Sequence, residues 1–241
     1  MVRRRTELDG PWEFAFEADS APDGSWRHLT TWRTATVPQP WQAEFDDLRN
    51  ASGTGWYRRT FTGPTEERGA LILHFGAVDY HATVWVNDHL VGEHQGGYLP
   101  FEFDIAALVT PGTNELVVRA VDSGADSTRW PDYPFGEVPH GKQSWYGPIG
   151  GIWQSVWLEE RAAHHIRTIR LTPQLADGSI DMELQFNGPL PPGATTLITV
   201  RDPQGMQVAE VTMAGATGQI PLLPADVQPW SPETPALYTV T

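Results

Sequence analysis

Alternation with a period of two runs through almost the whole chain, and it limits the fold more than any other feature. Leu71, Leu73 and Phe75 alternate with Ala70, Ile72 and His74. Ala82, Val84 and Val86 then alternate with His81, Thr83 and Trp85, and Phe101, Phe103 and Ile105 with Glu102 and Asp104. Successive side chains of a strand point to opposite faces, so such runs are half-buried strands and not helices. Asn87-Asp88, between two alternating runs, predicts a two-residue hairpin turn, because Asn and Asp are the non-glycine residues that best tolerate positive φ. "TPGTN" makes another turn before "ELVVRAV", and Ile152, Gln154, Val156 and Leu158 alternate with Trp153, Ser155 and Trp157. Roughly eight runs in the first two thirds of the chain predict a two-sheet antiparallel sandwich of jelly-roll type. The one helical turn predicted lies near "AEFDDL".

The remainder continues in the same mode. Ile180, Met182, Leu184 and Phe186 point one way, Asp181, Glu183 and Gln185 the other, after a turn at Asp177-Gly178. "TTLITVRDPQGMQVAEVTM" gives a further pair, and "ALYTVT" starts a last strand. Ten of the eleven tryptophans precede residue 160, and only Trp230 follows. That shift divides the chain into a jelly roll over 1–160 and an immunoglobulin-like sandwich over 161–241, the latter expected to be short of a complete sheet. The fold class predicted is therefore all-β.

Charge and composition remove several kinds of partner. A net charge of -14, with 12 Lys+Arg against 23 Asp+Glu up to residue 160 and 4 against 7 beyond it, argues against a phosphate-backbone partner. No cysteine is present, which excludes disulfides and thiolate metal sites. The basic start "MVRRRTELDG" lacks an apolar stretch behind it, and no run approaches the ~20 apolar residues of a membrane-spanning helix. A cytoplasmic protein with no membrane partner is expected.

The stretch from Asp126 to Gly151 stands out as a candidate site. It combines Trp130, Tyr133, Phe135, Trp145 and Tyr146 with Asp132, Glu137, His140, Lys142 and Gln143. Aromatic faces beside planar hydrogen-bonding groups suit a sugar, whose C–H face stacks on a ring while its hydroxyls seek carboxylate and amide partners. The other reading is that the rings only plug the end of the sandwich. The eight histidines show no ligand spacing, and His164-His165 places neighbours on opposite strand faces, so no metal site is predicted. His94 is read as a hydrogen-bonded structural residue, and Arg58-Arg59 as strand residues paired with nearby acids.

The ordered series "LDGPWEFAF", "VPQPW", "GTGWYRRTF", "HFGAVDYHATVWVNDHLVGEHQGGYLPFEFDI", "NELVVRAVD" and "GKQSWYGPIGGIWQSVWLE" resembles the sugar-binding domain of family 2 glycoside hydrolases, the group of β-galactosidases, β-glucuronidases and β-mannosidases. The likeness covers residues 7 to 160. Residues 161 to 241, with "PWSPETPALYTV", resemble the immunoglobulin-like domain that follows. The resemblance implies a galactose-binding-like jelly roll, an immunoglobulin-like sandwich and then a catalytic barrel, absent here, that hydrolyses O-glycosyl bonds of β-glycosides with retention. There one glutamate protonates the glycosidic oxygen and another attacks the anomeric carbon, with the carboxyl groups about 5 Å apart. Asn114-Glu115 copies the family's acid/base dipeptide but falls in its jelly-roll "pGxNxLxVR" segment, so no catalytic residue is assigned. By the same resemblance Asp132 binds sugar hydroxyls, with Glu137 or His140 as possible substitutes. Asn50 approaches the pocket, and Gln143 and Trp145 line the pocket or brace the loop. No cofactor is implied; the partners implied are a β-glycoside and the barrel of the same polypeptide, with a homo-oligomer possible. The alternative reading is a free-standing carbohydrate-binding module or lectin.

Overall fold

The computed structural model describes residues 3–64, 69–133 and 147–241. It divides into two compact units, Met1–Ala163 and His164–Thr241, and both are built from antiparallel strands. The strands of the first unit are β1 (Arg4–Glu7), β2 (Gly10–Glu17), β3 (Arg33–Val37), β4 (Gly53–Gly63), β5 (Ala70–Phe75), β6 (Val78–Asp79), β7 (His81–Val86), β8 (His89–Gln95), β9 (Phe101–Asp104), β10 (Gly112–Asp122), β11 (Gly151–Ile152) and β12 (Val156–Arg161). They form a four-stranded sheet β1-β12-β5-β9, a six-stranded sheet β3-β2-β4-β10-β7-β8 and a short pair β11-β6.

Strand parity sets the layers. Ala82, Val84 and Val86 of β7 and Leu116, Val118 and Ala120 of β10 face inward, where they share a core with Leu71, Leu73 and Phe75 of β5 and Val156 and Leu158 of β12. The opposite parity of the six-stranded sheet carries Trp56, Trp85 and Val117, which form a second cluster with Trp26. The three indoles lie 4.6 to 5.8 Å apart, centroid to centroid. Three tryptophans of this unit therefore cover the outer face of a sheet.

The hairpin between β7 and β8 turns at Asn87 (φ 49°) and Asp88 (φ 67°), the positive pair that a two-residue turn requires. The helical turn is also present, as α1 (Trp41–Glu44) followed by a single 3-10 turn at Asp46–Leu48. One run is split. Ile152 pairs with Val78 of β6, whereas the ladder with β5 begins only at Val156. Between them the Trp153 indole N–H donates to the Gly97 carbonyl at 2.7 Å, which draws the chain out of one sheet before it enters the other.

Arg58 pairs with Glu13 at 2.8 Å, but Arg59 donates to the backbone carbonyls of Leu8 and Asp9 and, among the described residues, forms no ion pair with an acid. A guanidinium this close to two carbonyls ties β4 to the chain entering β2. His94 departs from expectation too. Its Nε2 is buried with no hydrogen-bond partner among the described residues, and the ring is held by stacking on Phe101 at 4.3 Å.

The second unit holds β13 (Ile166–Gln174), β14 (Ser179–Phe186), β15 (Thr196–Arg201), β16 (Gln207–Met213), β17 (Thr217–Pro221) and β18 (Thr239–Val240). Two three-stranded sheets, β13-β14-β17 and β16-β15-β18, enclose Ile180, Met182, Leu184, Ile198, Val200, Met213 and Ile220. The strand predicted from "ALYTVT" is confined to two residues.

Candidate functional site

Three segments meet at one end of the first sandwich: the turn from Arg49 to Gly53, the connection that leaves β10 at Ser123, and residues Gly147 to Gly151. What gathers them is α1. The Ala51 carbonyl accepts from both the Trp41 indole (3.2 Å) and the Gln42 amide (3.3 Å). The same Gln42 amide donates to Asp122 at 3.0 Å, and its Oε1 accepts the Gly150 N–H at 2.8 Å. One glutamine therefore links all three segments.

The Trp41 ring is enclosed by glycines. A Cβ on Gly55, Gly150 or Gly151 would stand 2.5 to 2.9 Å from the indole, and one on Gly151 would also meet the Tyr57 hydroxyl at 2.0 Å. Gly151 further adopts φ +91°, which other residues rarely take. The glycine pair before "IW" is thus a packing requirement of an indole more than a hundred residues upstream.

Two carboxylates lie beneath this end. Asp122 shares the inward parity of Leu116, Val118 and Ala120, and both it and Asp79 are 1% exposed. Burial, reinforced by the charge of Asp79, pushes Asp122 well above the usual carboxylate range. Asp79 is raised to about 7 by burial alone, and neither of its oxygens has a hydrogen-bond partner among the described residues. The Asp79 carboxyl packs on the Gly97 backbone, where a Cβ would fall within 2.5 to 2.8 Å of its carbon and both oxygens. Neither acid can reach a dissolved ligand. For Asp122 the inward parity was a signal in the sequence, an aspartate closing an otherwise apolar core face of β10; Asp79, next to the core residue Val78, carried no such mark.

Asp132 sits between two fixed aromatics. Trp130 is 2% exposed, so it plugs the sandwich end and offers no stacking face to a sugar. Its indole nitrogen lies beside Gly124, which in turn lies beside Ser52. Tyr133 is half-buried and shares a 2.6 Å hydrogen bond with His81 Nδ1. His81 Nε2 stands 3.4 Å from Glu93; even so, burial outweighs the glutamate and lowers the imidazole below its ordinary range. The phenol and the imidazole are thus tied together, and Asp132 is left exposed beside them. Asn50 is exposed as well, one residue from the Ala51 carbonyl that anchors its turn. His140, Gln143 and Trp145 lie outside the described residues. Asn114, by contrast, is buried and saturated. Its Oδ1 accepts from Asn87 and Thr110, and its amide donates to the carbonyls of Thr110 and Gly112, which makes it a turn-bracing residue.

If the Tyr133 hydroxyl fixes the loop, Tyr133→Phe should lower the stability of the first unit by about 1 kcal/mol, the net worth of one hydrogen bond, in denaturant unfolding. An unchanged midpoint would show that the clamp does not hold. In chemical terms this end presents an exposed carboxylate and an exposed amide on braced backbone, suited to hydroxyl groups. Among the described residues no group of three or more His, Asp or Glu side chains is placed to hold a metal ion.

Residues 5–161 match the family described as glycosyl hydrolases family 2, sugar binding domain. The chain is 27% identical over 261 residues to a β-glucuronidase of Paenibacillus borealis, covering 100% of this chain and 42% of that protein. It is 30% identical over 280 residues to a β-galactosidase of Aeromonas hydrophila, covering 98% and 26%. Among solved structures, β-glucuronidase from Ruminococcus gnavus in complex with D-glucuronic acid superposes with a TM-score of 0.77 at 22% identity, over 99% of this chain and 42% of that one. The Faecalibacterium prausnitzii β-glucuronidase does so with 0.78 at 27% identity, over 99% and 44%. The chain spans less than half the length of these relatives.

Proposed function

Because the chain belongs to the glycosyl hydrolases of family 2 and carries that family's sugar binding domain, we propose that it forms the N-terminal, non-catalytic portion of a retaining β-glycosidase. In this reading it lends loop residues to the sugar pocket and provides the surface on which a catalytic barrel of the same polypeptide packs. The observation that carries the reading is the clamped Asp132. A buried Trp130 on one side and a Tyr133 bound to His81 on the other hold an exposed carboxylate on rigid backbone, which is how a binding group is kept ready without an entropic cost at the moment of binding. Asn50, on the neighbouring turn, offers a second polar group. His140, Gln143 and Trp145 complete the proposed set of sugar-contacting or loop-bracing residues. β-Glucuronides and β-galactosides are the substrate classes named by the relatives, and they are the ones to test.

Two experiments decide it. The 241-residue chain should not turn over a nitrophenyl β-glucuronide or β-galactoside, since a retaining dyad of carboxylates about 5 Å apart is not part of the reading for this portion. In the longer enzyme, Asp132→Ala should reduce kcat/KM by roughly 10- to 100-fold, the loss of one charged hydrogen bond to a hydroxyl. Unchanged efficiency would remove Asp132 from the pocket, and turnover by the short chain, lost on mutating one of its own glutamates, would refute the non-catalytic role.

A further inference from the structure

Asp132 occupies the tip of a closed turn. The Tyr133 N–H donates to the Trp130 carbonyl at 3.2 Å, which makes residues 130–133 a four-residue turn with Pro131 and Asp132 at its central positions. Proline favours the first of these because its φ is preset. Such a turn aims its third side chain only as well as its two ends are held. The Trp130 end is held by burial of the indole. The Tyr133 end is half-buried, and its hydroxyl stands 2.6 Å from His81 Nδ1.

Behind His81 lies a second acid. Glu93 sits on β8, the edge strand of the six-stranded sheet, opposite Thr83 and so diagonal to His81 on one face. Its carboxylate is 3.4 Å from His81 Nε2, with half of the glutamate side chain exposed. An imidazole can turn over about χ2, exchanging a nitrogen for a carbon, and when neutral it carries its proton on either nitrogen. A carboxylate only accepts. It therefore favours the ring orientation that turns Nε2 towards it and the tautomer with the proton there. Nδ1 then keeps its lone pair, and the Tyr133 hydroxyl donates to it.

The other charged groups facing the ring leave this arrangement in place. Arg119 on β10 is held by Asp23, the Ala21 carbonyl and the Thr83 hydroxyl. Burial lowers the imidazole against the pull of Glu93 and Asp23, and the Arg119 charge lowers it further, so the ring is neutral at pH 7. Burial also raises the Tyr133 phenol, with Asp132, Glu93 and Asp23 acting in the same direction and Arg119 against them, so its proton stays in place as the donor.

We propose that Glu93 and His81 are positioning residues for Asp132: the carboxylate selects the imidazole orientation and tautomer that accepts from Tyr133, and Tyr133 fixes the end of the turn that aims Asp132 at a sugar hydroxyl. The proposal deepens the reading of function above and rests on it for the role of Asp132. Glu93 acts through two other side chains and does not touch the sugar.

Nitrogen-15 NMR of the His81 ring in the 241-residue chain at pH 7 tests the first link. The proton should reside on Nε2 in the wild type, be shared between the two nitrogens in Glu93→Ala, and return to Nε2 in Glu93→Gln, whose amide oxygen also accepts. In the longer enzyme Glu93→Ala should lower kcat/KM about three- to tenfold, within the worth of one hydrogen bond, and Glu93→Gln should restore most of it. Added to Tyr133→Phe, Glu93→Ala should cost nothing further, because the line is already cut; a structural effect of Glu93 on its own strand would add. A wild-type ring protonated on Nδ1 or on both nitrogens, an additive double variant, or unchanged efficiency in Glu93→Ala overturns the proposal. Lost efficiency in Asp132→Ala with none in Glu93→Ala overturns the positioning role alone and leaves the reading of function standing.

Discussion

Trp41→Ala should cost the first unit about 3–5 kcal/mol, the range for removing a large buried aromatic from a core that cannot collapse around the void. The site is poorly able to relax. Trp41 is fully buried, contacts the rings of Phe14 and Phe16 at 6.2 and 5.5 Å, and is enclosed by three glycines whose backbones already sit against it. Glycine has no side chain to swing into the cavity. The substitution also removes the indole N–H that the Ala51 carbonyl accepts, so the Asn50 turn and the Gly150 segment should loosen together. Denaturant unfolding of the short chain gives the stability, and limited proteolysis gives the sites of loosening. A loss below about 1 kcal/mol would show that the indole is a filler and not the piece around which this end is assembled.

The first unit should also lose stability as pH rises from 5 to 8, against the usual trend for an acidic protein. Asp79 has a folded-state value near 7, raised by burial, above the 3.8 of an unperturbed aspartate. A group raised in the folded state contributes stability that is complete below its unfolded value and is lost as pH climbs through its folded value. Between roughly pH 4 and 7 the unfolded chain releases this proton first, at a cost of about 1.4 kcal/mol per pH unit. The total approaches roughly 4 kcal/mol above pH 7. Asp122, raised in the same direction by burial and by Asp79, adds to the slope. Asp79→Asn should therefore flatten the stability profile between pH 5 and 8, leaving the part that belongs to Asp122. The same slope in wild type and Asp79→Asn over this window would contradict the burial of Asp79, because the lowered imidazoles of His74 and His81 act in the opposite direction and are common to both proteins.

The alternation of Leu71, Leu73 and Phe75, of Ala82, Val84 and Val86, and of Ile180, Met182 and Leu184 placed their side chains correctly on inward faces. The Asn87-Asp88 turn and the helical turn near residues 43–48 were equally legible. These features are local: a strand's parity or a turn's φ angles depend on a few adjacent residues. The break after Ile152 was not legible, because alternation is continuous there while the chain passes from β6 to β5 across the connection through Gly76 and Ala77, with Trp153 bonded to Gly97 between them. Nor was the burial of Trp130, since an indole in a glycine- and proline-rich loop reads the same whether it faces a sugar or fills a gap.

By itself, then, the sequence determined an all-β chain of two sandwiches, its turns, its inward faces and, through six ordered motifs, its family. Those properties follow from the period of the backbone and from residue types in fixed order. Only the tertiary structure decided that Gln42 joins three separate segments, that Asp79 and Asp122 are buried acids, and that Ile169 and Leu171 of β13 are exposed. Each of these depends on residues brought together from distant positions, where burial, and with it the protonation of a carboxylate or the exposure of a leucine, is set by neighbours that no local pattern names.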